Sequence, residues 1–119
     1  MTNKKVCVIG AGYWGKNHIK TLEKLNALGS IVDLNKGTLK EIKALYPTIK
    51  TYSNIKDALS ADYHGYIIAT PAITHFEIAK MVIKARKHVL IEKPMSLAIE
   101  DAEELVRLSE KNNVNVLVG

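Results

Sequence analysis

Apolar residues in this chain fall into short runs, and between the runs every third or fourth position is apolar. The runs at Val6 to Ile9, Ser30 to Val32, Thr48 to Tyr52, Gly65 to Ala69, His88 to Glu92 and Val114 to Val118 are brief and mostly β-branched, as strands buried on both faces are. Five segments of helical periodicity separate them. One carries Leu39, Ile42 and Leu45 on a stripe and is closed by Pro47. Another opens with Thr74 and Glu77, spaced as a capping box, and continues through Ile78, Val82 and Ala85. The last follows Ser96 and is predicted to bury Ala98, Ala102, Leu105 and Val106, with Glu100, Asp101, Glu103 and Glu104 near its positive end. Ser53 is the predicted cap of a short helix. Crossovers between parallel strands are right-handed, so this alternation leaves few topologies. The expected fold is α/β: a Rossmann-type, doubly wound, mainly parallel six-stranded sheet with helices on both faces. Ligands of such sheets bind outside the carboxyl ends of the strands, where the strand order reverses.

The length of 119 residues fits a single domain over 1–119 with one core. Its 47% hydrophobic and 24% charged residues are globular averages, which speak against disorder, and no apolar run reaches the ~18 residues of a membrane span. Lys4 and Lys5 precede an apolar stretch, but Gly10, Gly12 and Gly15 within it indicate a strand and turn, not a secretion signal. Cys7 is the single cysteine and stands between Val6 and Val8, so a buried strand residue is expected rather than a nucleophile, in a cytoplasmic protein. The net charge of +5 comes from scattered lysines without a recognition helix or aromatic RNA-binding sheet, so solvated helix faces explain it better than a nucleic-acid partner. His18, His64, His75 and His88 lack the spacing that gathers metal ligands.

Candidate chemistry concentrates at the predicted strand ends. Gly10-Ala11-Gly12-Tyr13-Trp14-Gly15 follows the first strand and opens the first helix, which is the G-x-G-x-x-G spacing in its required context. Gly10 would permit the tight turn, Gly12 would let a pyrophosphate approach the backbone, and Gly15 would let the helix pack closely on the strand. Phosphates placed there face unpaired N–H groups and the helix dipole. Asp33 ends the second strand 23 residues after Gly10, close to the ~20-residue interval at which a carboxylate meets an adenosine ribose. Leu34 and Asn35 supply no arginine for a 2′-phosphate, so NAD is expected over NADP, although Lys36 is a nearby cation. Asp33 could alternatively cap the following helix. Thr70-Pro71 and Glu92-Lys93-Pro94 follow the fourth and fifth strands, where proline stops the ladder and stiffens the loop. Lys93 could set a cation beside a nicotinamide and a substrate hydroxyl, and it could equally be a surface lysine. His75 could touch a cofactor or lie on the surface.

Three stretches together, GAGYWGKNH from Gly10 to His18, TPAITH from Thr70 to His75, and KHVLIEKP from Lys87 to Pro94, resemble the glucose-fructose oxidoreductase, inositol dehydrogenase and rhizopine-catabolism (Gfo/Idh/MocA) family. The resemblance spans essentially the whole chain, and EKP is its most specific part. It implies a nicotinamide-dependent sugar or cyclitol oxidoreductase, with Tyr13, Trp14, Thr70, Pro71, His75 and Glu92 near the cofactor, Lys93 as the active-site lysine, and a cis bond before Pro94. The GYWGKNH form is similar to members acting on nucleotide-linked sugars. Family members carry a second domain that holds the substrate and the proton-transfer groups. No such domain is present here, so the full-length protein is expected to be longer and to form a homo-oligomer. Arg86 departs from the family's glycine, and a left-handed helix cap costs arginine more than glycine. Two rivals stay open: a non-enzymatic NAD-sensing module, and an S-adenosylmethionine site, which also uses a glycine-rich first turn.

Overall fold

The computed structural model describes residues 4–119. Strands and helices alternate as β1 (Val6–Ile9), α1 (Tyr13–Lys24), β2 (Leu28–Val32), α2 (Lys36–Leu45), β3 (Lys50–Tyr52), α3 (Ile55–Ser60), β4 (Gly65–Ile68), α4 (His75–Lys84), β5 (His88–Ile91), α5 (Ile99–Asn112) and β6 (Val116–Val118). All neighbouring strands pair parallel in the order β3-β2-β1-β4-β5-β6. This is the doubly wound order: the chain works outward to β3, returns to β4 beside β1, and works outward again, so a crevice opens between the carboxyl ends of β1 and β4.

The pleat of β1 sorts its side chains between two cores. Cys7 and Ile9 join Val32, Tyr66, Ile68, Val89 and Ile91 beneath α3, α4 and α5, while Val8 joins Ile19, Leu28, Ile31 and Ile42 beneath α1 and α2. The second face is covered only in part. Leu117 pairs beside Leu90 on that side and is 61% exposed. Burial pushes the Cys7 thiol up to about 12, which keeps it protonated and makes it a packing residue. Among the described residues no helix is long and apolar enough to cross a membrane.

The elements stand where the periodicity places them, and several boundaries and caps differ. β2 begins at Leu28 rather than Ser30 because Gly29, a poor strand former, is held under the Tyr63 ring, where a Cβ would come within 2.7 Å of Cδ1. β3 starts only at Lys50 because Pro47 and Thr48 are spent in a turn, closed by Ile49 N–H donating to Tyr46 O at 3.1 Å. The cap of α3 is Asn54, whose side chain accepts from Asp57 N–H, and not Ser53. The expected capping box at Thr74 and Glu77 is absent. Thr74 already has helical angles (φ −94°, ψ −9°) as the end of a 3₁₀ turn, and its hydroxyl donates to Pro71 O at 2.6 Å instead. Helix α5 starts at Ile99 and buries Leu105 and Leu108. Ala102 is half-buried and Val106 is 47% exposed, so the inward stripe is rotated from the expected one.

Helix α4 ends in a Schellman motif, with Arg86 N–H donating to Ile83 O at 2.9 Å and Lys87 N–H to Val82 O at 3.2 Å. The motif requires a left-handed residue, and Arg86 supplies it at φ +62°. An L side chain costs ~1–2 kcal/mol in that region, whereas glycine avoids this cost and loses ~0.5–1 kcal/mol in chain entropy. Arg86→Gly is therefore expected to stabilise the domain by about 0.5–1 kcal/mol and raise its melting temperature by about 2–5 °C. Thermal denaturation checks this, and an unchanged or lower midpoint contradicts it.

Candidate functional site

The glycine turn is built by close backbone approach. Gly10 sits at φ +99°, and a Cβ there would lie 2.8 Å from Ala69 O and 2.9 Å from Thr70 Cγ2. The end of β1 is thereby pressed against the end of β4. Gly15 packs the first turn of α1 onto this bend so closely that a Cβ would fall 1.8 Å from Gly10 O. Gly12 differs, since a Cβ there would meet nothing within 4 Å and would project into open space above the bend. It is also the N-cap of α1, without a side-chain cap and without an acidic residue in the first turn. The positive end of the helix therefore presents free N–H groups to the crevice.

Asp33 closes the turn from the side. Its Oδ2 accepts from Ala11 N–H at 2.9 Å and its Oδ1 from Asn35 N–H at 2.8 Å. Helix α2 is capped by Asn35, which accepts from Thr38 N–H, so Asp33 does not serve as the cap. Each carboxylate oxygen accepts more than one hydrogen bond, so both keep capacity for hydroxyl donors. Leu34 follows at 82% exposure.

Two clefts meet at Thr70-Pro71, across the carboxyl ends of β1, β2, β4 and β5. The first, of about 320 Å³, is lined by Gly10, Gly12, Val32, Asp33, Leu34, Ile55, Thr70, Pro71, Thr74 and Ile78. The second, of about 550 Å³, is lined by Trp14, Thr70, Pro71, Ala72, His75, Glu92, Lys93 and Gly119. Tyr13 and Gly15 line neither. Tyr13 lies at the exposed rim, stacked edge-on against Trp14 with ring centroids 5.2 Å apart, and Gly15 is buried beneath the bend. The sequence motifs thus gather at a single mouth, with Asp33 at one end and Lys93 at the other.

The loop carrying Lys93 is pinned at each residue. Glu92 N–H donates to Ile68 O, Lys93 N–H donates to Gly119 O, both at 3.1 Å, and the Lys93–Pro94 bond is cis. His75, 2% exposed, lies between this loop and the Thr70 turn, with Nδ1 2.7 Å from Pro94 O and Nε2 2.8 Å from Thr70 O, two carbonyls that compete for the one N–H of a neutral ring. Both ring nitrogens are thus turned to backbone carbonyls, neither of them to the cleft opening. Three neighbours of the clefts escape a reading by spacing. Ile55 and Ile78 form apolar walls of the first cleft, signalled only by their helical stripes. His18, on α1, bonds Glu92 across 74 residues of sequence. Among the described residues, no three His, Cys, Asp or Glu side chains gather closely enough to hold a metal ion.

The family model for the GFO_IDH_MocA oxidoreductases, described as an NAD-binding Rossmann fold, matches residues 4–119. The UDP-N-acetylglucosamine 3-dehydrogenase of Acidithiobacillus ferrooxidans is 29% identical over 100% of this chain and 37% of its own length. The glucose-6-phosphate 3-dehydrogenase of Bacillus subtilis is 30% identical over 98% of the chain and 33% of its own. Among solved structures, the WlbA dehydrogenase from Bordetella pertussis, in complex with NADH and UDP-GlcNAcA, superposes with a TM-score of 0.93 at 27% identity, over 99% of this chain and 37% of that one. The chain thus spans about a third of the length of these relatives. With the glycine turn, the doubly wound order and the paired clefts in place, the chain belongs to the Gfo/Idh/MocA oxidoreductase family and forms its NAD-binding Rossmann fold.

Proposed function

We infer that this chain holds NAD across its two clefts for the oxidation or reduction of a sugar hydroxyl carbon, with a nucleotide-linked sugar as the favoured substrate. The observation that carries the reading is the open space over Gly12, bounded by free helix N–H groups on one side and the Asp33 carboxylate on the other. That arrangement fits a diphosphate joined to a ribose: the N–H groups take phosphate oxygens, and Asp33 accepts from the two ribose hydroxyls. Ile55, Ile78 and Leu34 offer apolar surface for the adenine. A 2′-phosphate would meet the Asp33 charge without an arginine in Leu34-Asn35 to offset it, which favours NAD over NADP.

The nicotinamide ring supplies hydride transfer when bound. Lys93, at the far end of the second cleft, orients the reacting hydroxyl and stabilises negative charge on its oxygen. Thr70-Pro71 forms the wall shared by the clefts and Trp14 shields the mouth. The relatives acting on UDP-N-acetylglucosamine and on glucose 6-phosphate support a sugar substrate, and WlbA bound to UDP-GlcNAcA supports a nucleotide-linked one.

On this reading the proton-transfer groups and the sugar subsite would come from a further domain, in keeping with the third of the relatives' length that the chain covers. Cytoplasmic residence and a homo-oligomeric full-length enzyme go with this reading. The chain alone is accordingly expected to form no NADH when incubated with NAD and UDP-N-acetylglucosamine or glucose 6-phosphate. Robust NADH formation by these 119 residues would refute the division of labour.

A further inference from the structure

Lys93 lies in a loop anchored on both flanks by a histidine, and only one of the two anchors reaches a side chain. On the far flank, His75 holds the Pro94 carbonyl. On the near flank, Nε2 of His18 bonds Oε1 of Glu92, with the two side chains 25% and 18% exposed. The backbone bonds of Glu92 and Lys93 fix where the loop runs but not where the Glu92 carboxylate points. Glu92 lines the second cleft beside Lys93, so the direction of its carboxylate decides what charge and which acceptor that end of the cleft presents. Left free, the side chain would sample several rotamers, and ordering it on ligand binding costs ~0.5–1.5 kcal/mol for such a side chain. His18 removes that freedom in advance. Its own helix begins at the glycine turn, so the same rigid element that faces the diphosphate also sets the acidic group at the opposite end of the ligand.

We propose that His18 is a positioning residue for the nicotinamide half of the cofactor: its bond to Glu92 preorders the carboxylate, leaving Oε2 free to accept from that half of the ligand. The proposal rests on the assignment of the second cleft to the nicotinamide end. A dinucleotide with its adenosine at Asp33 crosses the switch point between β1 and β4 and must extend toward β5, where Glu92 stands.

The test compares NAD with ADP, which lacks the whole nicotinamide riboside, by calorimetry on this chain and two variants. H18F keeps a ring of similar size and cannot hydrogen-bond, whereas H18Q retains an N–H that can reach a carboxylate. The wild type is expected to bind NAD more tightly than ADP. H18F should lower the ratio of the two affinities by about five- to tenfold while ADP affinity and melting temperature stay near wild type, and H18Q should restore the ratio to within about twofold. A merely structural histidine would weaken both ligands alike, or depress the melting temperature of both variants, and either result overturns the proposal. So does an unchanged ratio in H18F, or a glutamine variant that behaves as the phenylalanine one does. If H18F does not fold, the H18Q ratio alone decides, and its loss is contrary to the proposal. A wild type that binds both ligands equally removes this inference and leaves the adenosine end standing, whereas a wild type that binds neither removes the NAD reading with it.

Discussion

Replacing Gly12 by alanine is expected to leave the fold intact and abolish most of the NAD affinity, while the same change at Gly15 destroys the fold itself. The two glycines belong to one motif, yet their surroundings are opposite. A methyl group at Gly12 meets nothing within 4 Å, and its backbone angles (φ −77°, ψ −157°) suit any residue. The only thing it can obstruct is a ligand. A diphosphate pushed away from the amide N–H groups loses charge-assisted hydrogen bonds of ~1.5–3 kcal/mol each, so affinity should fall at least about tenfold while the melting temperature moves by only a few degrees. At Gly15 the methyl would stand 1.8 Å from Gly10 O, inside any possible contact distance, and α1 would have to lift off the end of β1. Overpacking of this kind costs ~3 kcal/mol or more, a large share of the ~5–15 kcal/mol that holds a domain together. Thermal denaturation and calorimetry separate the two outcomes. A Gly12→Ala protein that binds NAD like wild type would show that no phosphate approaches the bend.

Asp33→Ala should fail in two ways at once. Ala11 is 1% exposed, and its N–H, deprived of Oδ2, becomes a buried donor without a partner at ~1–3 kcal/mol. The exposed Asn35 N–H can turn to water at little cost. The variant should therefore unfold at lower denaturant and bind NAD more weakly. Its preference for NAD over NADP should also shrink, because the charge that repels a 2′-phosphate is gone. Loss of stability with an unchanged ratio of NAD to NADP affinity would make Asp33 a tether for the turn and nothing more.

How much of the fold the amino-acid sequence discloses follows from the range of the forces involved. Gly10, Gly12 and Gly15 were legible because the constraint on each is local, a φ of +99° or the absence of a Cβ between adjacent segments. The alternation of strands and helices is written in the periodicity, and the handedness of parallel crossovers then leaves few strand orders, of which the doubly wound one is observed. Arg86 stands out in the sequence only against the glycine of the resembling family, and the Schellman geometry at that helix end does hold it in the left-handed region.

Caps were less legible, because neighbouring polar residues compete for them. Asn54 displaced Ser53, and the 3₁₀ turn at Ala72–Thr74 took Thr74 before α4 began. The rotated stripe of α5 depends on where α4 meets it, and its spacing of apolar residues allowed either face. His18 with Glu92, and His75 with Pro94, join residues 74 and 19 apart, and no local rule pairs them. Even the two oxygens of Asp33 were partly claimed by Ala11 and Asn35, an engagement that spacing to the glycine turn does not disclose.

The most direct measurement is a titration of the isotope-labelled chain with NAD, followed through its amide NMR signals. Binding at the switch point predicts saturable shifts that are largest at Gly12, Tyr13, Trp14, Leu34 and Thr70, around the diphosphate and ribose positions, with lesser shifts at Glu92 and Lys93. No shift at saturating NAD, or shifts gathered at the opposite ends of the strands around Lys5, Asn26 and Tyr63, would contradict it.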